Sequence, residues 1–198
     1  AGDEAALLAW LDSGGRANAT CGVGNASGIT ALMLAARSGH ERVVELLLQR
    51  GAKINLQNSK GYTALMGAAN NGHERVVDLL IRHGAEINLQ DSNGRTALID
   101  AILQGQERVV DLLLQHGGEV KAQDSHGSTA LMAAAVAGHE RVAELLLQHG
   151  AEVNLQDSKG GTALMHAAHG HEPVVELLIR HGAEVNLQCS DAFTALLI

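Results

Sequence analysis

Three histidines stand close together late in the chain, His166, His169 and His171, at spacings that would let their imidazoles share a metal ion. Eleven histidines are present in all. His40, His73, His139 and His171 each follow a glycine, and His83, His116, His149 and His181 each precede one. Recurrence at one structural position makes both sets scaffold. That leaves His126, His166 and His169, and no cysteine or second ordered ligand set accompanies them. No metal and no cofactor is therefore expected. Other chemistry is equally thin: there is no phosphate-binding loop, no His-Glu-x-x-His and no nucleophile elbow. Gly22-Val23-Gly24 followed by Gly28 approaches a dinucleotide fingerprint, but the third glycine is one place off. It reads as a glycine-rich, mobile loop over 19–28. Asn18-Ala19-Thr20 and Asn25-Ala26-Ser27 are sequons only in a secreted chain. The chain is expected not to be an enzyme.

The composition says what must position these residues. The chain has 198 residues, 46% hydrophobic but only 2% aromatic, with 23 Gly and a single Pro. A thick core would draw on more large rings. Short Ala/Leu helices punctuated by glycine turns suit this mixture, and a β-sandwich does not. The formal charge of −8 argues against binding a phosphate backbone. No apolar run approaches a membrane span, so no membrane insertion is expected. Cys21 and Cys189 suggest no disulfide framework, which points to a reducing cytoplasmic or nuclear compartment. The chain starts at Ala1 without Met and stops within a periodic segment, and so reads as a piece of a longer, monomeric protein.

The periodicity settles the organisation. Thr-Ala-Leu begins at Thr30, Thr63, Thr96, Thr129 and Thr162, always 33 residues apart, and again at Thr194 after 32. A fixed period of this size means stacked supersecondary units, each too thin to need aromatic filling. Within one unit, Thr63 is an N-cap for a short helix over 64–70. Gly72 breaks it. Glu74 opens a second helix whose Val76, Val77, Leu79, Leu80 and Ile81 form a wide apolar stripe, and Gly84 stops it. The segment 88–94 reads as an extended hairpin projecting to the next unit.

Gly61-Tyr62-Thr63-Ala64-Leu65-Met66-Gly67-Ala68-Ala69 and Gly150-Ala151-Glu152-Val153-Asn154 closely resemble the ankyrin repeat. The resemblance covers about 25–198 and implies an all-α solenoid of stacked helix-turn-helix units with hairpin loops. One domain is expected over 1–198: a truncated unit and loop at 1–24, full repeats at 25–57, 58–90, 91–123, 124–156 and 157–188, and a truncated repeat at 189–198. Two departures from the family pattern are systematic. Ala replaces the usual Pro after the cap Thr, and Met33, Met66, Met132 and Met165 stand where the family His makes a hydrogen bond. Methionine there is expected only to pack. Trp10 reads as structural, in a helix over 5–12.

The functional signal is the pattern of difference between units. The second and fifth repeats differ at only eight positions, counting one deletion. Differences concentrate after the hairpin glycine (Ile29, Tyr62, Arg95, Ser128, Gly161, Phe193), in the middle of the first helix (Leu34, Gly67, Asp100, Ala133, His166), and at its end. That end carries Arg37, Asn70, Asn71, Leu103, Gln104, Val136 and His169. Exposed second-helix positions such as Glu41, Glu74, Glu107, Glu140 and Glu172 do not vary. The resemblance implies that these columns face a concave groove that holds a protein or peptide. Partner contact is expected from them and from His126. Tyr62 and Arg95 would be the anchors, Asp100 would pair with a basic group, and Leu103 and Val136 would floor an apolar pocket. A consensus-like engineered array and the targeting or regulatory arm of an attached enzyme are the alternatives.

Overall fold

The computed structural model describes residues 16–23, 26–190 and 194–195. The expected helix carrying Trp10, and Phe193 of the hairpin column, lie outside the described residues. The chain divides into two compact units, Ala1–Asp100 and Ala101–Ile198.

In the first unit, β1 (Thr20–Val23) pairs antiparallel with β2 (Ala26–Thr30), with an irregular register between Cys21 and Val23. Helices α1 (Ala31–Arg37), α2 (Glu41–Gln49), α3 (Ala64–Asn70) and α4 (Glu74–Arg82) follow. α1 packs on α3 and α2 on α4, while each first helix also packs on its own second helix. α5 (Ala97–Leu103) spans the division between the units. The second unit repeats the arrangement with α6 (Glu107–Gln115), α7 (Ala130–Ala137), α8 (Glu140–Gln148), α9 (Ala163–Ala167) and α10 (Glu172–Arg180). There α7 packs on α9, and α8 packs on both α6 and α10.

Each first helix starts the same way. The buried hydroxyls of Thr30, Thr63, Thr96, Thr129 and Thr162 accept from the backbone N–H three residues on, at 3.2–3.4 Å. Small side chains then let the helices close together: Ala36, Ala68, Ala69, Ala134 and Ala135 are fully buried. Losing one cap leaves an N–H unsatisfied in a dry site. Thr63→Ala should therefore cost about 1 kcal/mol, read as a lower urea midpoint with unchanged slope.

Successive repeats are tied by polar bonds at three levels. At the hairpins, the Ser59 N–H donates to Ser27 O at 2.9 Å and the Ser92 N–H to Lys60 O at 2.9 Å. The second unit matches this with Ser158 to His126 O and Ser190 to Lys159 O. At the helix stops, Asn55 donates to Gly84 O and accepts from the Glu86 N–H, and Asn154 does the same with Gly182 and Glu184. At the helix break, Nε2 of His73 contacts Arg37 O at 3.0 Å and Nε2 of His171 contacts Val136 O at 3.0 Å. The His73 ring lies where a Cβ on Gly39 would be, 2.6 Å from Nδ1. The recurrent histidines are scaffold, as their recurrence indicates.

Three expectations are corrected. The glycine-rich segment carries strands where a mobile loop was expected: Thr20–Val23 pairs with Ala26–Thr30, and Thr20 faces Thr30 across the pair. Segment 88–94 closes as a tight hairpin turn, through Asp91 N–H to Arg95 O at 2.8 Å, but carries no strand, so only its expected extended character changes. Methionine does more than pack. Sδ of Met66 accepts from the Thr63 N–H at 3.5 Å and Sδ of Met132 from the Thr129 N–H at 3.4 Å, a weak substitute for an imidazole acceptor.

Candidate functional site

The residue after each hairpin glycine is held by an acceptor four positions earlier. Oδ1 of Asn58 accepts from the N–H of Lys60 and of Tyr62, at 2.8 and 3.0 Å. Asp91 does so for Asn93 and Arg95, Asp124 for His126 and Ser128, and Asp157 for Lys159 and Gly161. This Asx turn fixes where the variable side chain leaves the backbone. Sequence reasoning passed over Asn58, Asp91, Asp124 and Asp157, although their period of 33 was a usable signal.

In the first unit the columns converge. Tyr62 is half-buried, and its phenol and the carboxyl of Asp100 act on each other electrostatically. Asp100 is buried, at 7% exposure, and its Oδ2 has no hydrogen-bond partner. Burial pushes its carboxyl up to about 6, and the charge of Asp91 pushes the same way. The nearby Arg95 guanidinium and the Tyr62 phenol oppose the shift. Burial, and then the charge of Asp100, likewise raise the Tyr62 phenol, while Arg37 pulls it down. Arg37 and Arg95 are exposed, and the shortened side of Gly67 lies against Arg37, whose Cβ is 3.4 Å from where a glycine Cβ would stand.

Ile29 is half-buried in β2 opposite Cys21. Leu34 is 43% exposed. Asn70 is half-buried, and the Asn71 amide donates to Gly67 O at 2.9 Å. In the second unit, Gln104, His126 and His169 are exposed, and Ser128 and Ala133 are half-buried. Leu103 is half-buried and Val136 is 53% exposed. Both present apolar surface. A cleft of about 400 Å³ does exist elsewhere, lined by Glu41, Arg42, Glu45, Arg75, Asp78, Leu79 and Arg82 of α2 and α4. Its charges largely satisfy one another, with Arg82–Asp78 at 2.7 Å and Arg42–Glu45 at 2.8 Å.

His166 reaches Oδ2 of Asp157 at 3.2 Å. Partial burial works to raise the Asp157 carboxyl, but the N–H groups of Gly161 and Lys159 together with His166 outweigh it and hold it below its usual value. His169 turns to Met165 O and His171 to Val136 O, so the three histidines spend ring nitrogens on separate partners. Among the described residues no three His, Cys, Asp or Glu side chains converge as metal ligands. Among them, too, no helix is long and apolar enough to cross a membrane.

A family model described as ankyrin repeats (3 copies) matches residues 2–58, 32–124 and 116–189. The chain belongs to the ankyrin-repeat family. Its fold is accordingly the all-α ankyrin array, and ankyrin repeats are generally protein–protein interaction modules. No curated protein matches the chain. In ankyrin terms the Tyr62–Asp100 pair joins the hairpin column of one repeat to the first-helix column of the next.

Proposed function

We propose that this ankyrin array is a noncatalytic scaffold within a longer protein, binding a protein or peptide in the concave groove. The groove is the one the family resemblance assigns to its variable columns. The observation that carries the reading is selective difference. Repeats that otherwise nearly coincide differ in columns whose backbone is fixed by Asx turns, and in one unit those columns meet at Tyr62, Asp100, Arg95 and Arg37. A fixed backbone with variable side chains is what recognition of different ligands requires. Tyr and Arg are also the residue types that dominate binding energy at interfaces. The same reading makes the chain a monomer in a reducing cytoplasmic or nuclear compartment, consistent with Cys21 and Cys189 as free thiols.

The test begins with a random peptide library selected on the full chain, followed by calorimetry of the selected peptides. Tyr62→Ala and Arg95→Ala should each weaken binding roughly tenfold to thirtyfold without unfolding the array, as expected of interface anchors. Unchanged affinity in both variants would sink this placement.

A further inference from the structure

The Asp100 carboxyl is the polar group of the variable columns that the fold leaves unsatisfied. It sits at 7% exposure with Oδ2 unpaired, and its equivalents in neighbouring repeats are Gly67 and Ala133, which ask for nothing. A buried acceptor without a donor is costly, so its presence at a binding column calls for a ligand that completes it. The missing partner must be a hydrogen-bond donor, and the surrounding charges say which kind. Asp91 from the same repeat disfavours an anion beside Asp100, burial and Asp91 together outweigh the exposed Arg95, and the Tyr62 phenol is the neutral group already present. A metal ion would need further ligands, and none converge here among the described residues. A single organic cation remains.

We propose that Asp100 and Tyr62 form a seat for one basic side chain, lysine or arginine, of the bound peptide, and that the exposed Arg37 and Arg95 engage acidic residues flanking that base. This rests on the groove reading above and adds the chemistry of its ligand. The layers support the order. The hairpin of Tyr62 accepts from that of Arg95 through Ser92 N–H to Lys60 O, and donates to the preceding one through Ser59 N–H to Ser27 O. Tyr62 thus occupies the middle layer, with Arg37 in the layer before and Arg95 and Asp100 together in the layer after, so the seat lies between Tyr62 and the layer that carries Arg95. The base enters between the Asp100 carboxyl and the Tyr62 ring, whose face lies against the cation, an arrangement that stabilises both charges.

The probes are N-acetyl-arginine amide and its neutral isostere N-acetyl-citrulline amide, titrated into the full chain while NMR follows the Asp100 carboxyl carbon. The arginine amide should lower the titration midpoint of Asp100 by about one pH unit or more at saturation, as an adjacent cation does. Citrulline amide should leave it in place. Asp100→Asn should weaken the arginine amide at least fivefold, whereas the exposed α10 variant Glu176→Gln, which removes the same charge, should not. An equal response to the two amides, or full arginine-amide affinity in Asp100→Asn, overturns the cation seat. Library-selected peptides that need Tyr62 and Arg95 but ignore Asp100 would overturn it as well while leaving the groove reading intact. Peptides indifferent to all three would remove both.

Discussion

Asp100→Asn should stabilise the protein at pH 7 and do nothing for it in acid. The folded-state pKa of Asp100 lies at about 6, above its ordinary 3.8, so the fold binds this proton more tightly than the unfolded chain does. Stability from this group is therefore complete below pH 4 and falls as the pH rises through 6. A shift of this size corresponds to about 3 kcal/mol lost by neutral pH. Asparagine keeps the shape and carries no charge, but its amide also needs partners. The net gain at pH 7 is thus about 1–3 kcal/mol, or several degrees in melting midpoint for a chain of this length. The measurement is a pair of thermal melts at pH 3.5 and pH 7.5 for both proteins. A gain that does not depend on pH, or a variant less stable at pH 7.5, contradicts the account of this carboxyl. A residue that weakens the fold at working pH while standing in a recognition column is what a trade of stability for binding looks like.

Gly61→Ala should be far more damaging than the same change at Gly84, although both glycines have positive φ, +75° and +87°. The left-handed conformation costs an alanine about 1–2 kcal/mol at either place. At Gly84 nothing lies within 4 Å of the added methyl. At Gly61 the methyl would stand 2.8 Å from the Asp91 Cα and 3.0 Å from the Ser92 nitrogen, both main-chain atoms of the next hairpin. Backbone cannot turn aside as a side chain does. Overpacking of this kind adds about 1–3 kcal/mol, for a total of about 2–5 kcal/mol. The Ser92–Lys60 bond beside it should lengthen, so the Ser92 amide should exchange faster with solvent in Gly61→Ala than in Gly84→Ala. Equal urea midpoints for the two variants would show that the hairpins do not pack as closely as described.

Much of the fold was legible because a repeat states each rule several times over. Thr63 as cap, Ala64–Asn70 and Glu74–Arg82 as helices and Gly84 as stop all stand where the spacing put them. The family match agrees with the resemblance drawn from those residues. What escaped was whatever departs from the period or depends on neighbours. The β1–β2 pair lies in a connection longer than its equivalents, 12 residues from Asn18 to Thr30 against 8 from Asn55 to Thr63, and its glycines outweighed its Thr, Val and Ile. Met66 and Met132 as acceptors depend on a rotamer that the residue type does not declare.

The candidate site was legible by column but not by depth. Leu34, Gly67 and Asp100 hold equivalent places, yet Leu34 is 43% exposed and Asp100 is 7% exposed. Periodicity says which way a side chain leaves its helix. It does not say how far the adjoining hairpin's tyrosine covers it. Aspartate is ordinarily a surface residue, so its type gave no sign of this burial. Tyr62 and Arg95 as neighbours of Asp100 follow from the hairpin offset only once the Asx turns that fix both backbones are recognised.

The central claim is that recognition uses the variable columns rather than the invariant second helices. Amide shift mapping of the labelled full chain with a library-selected peptide tests it most directly. The account predicts the largest changes at Leu34, Arg37, Tyr62, Arg95 and Asp100, with Glu41, Arg75 and Asp78 unmoved. Changes centred instead on the charged cleft between α2 and α4 would contradict it.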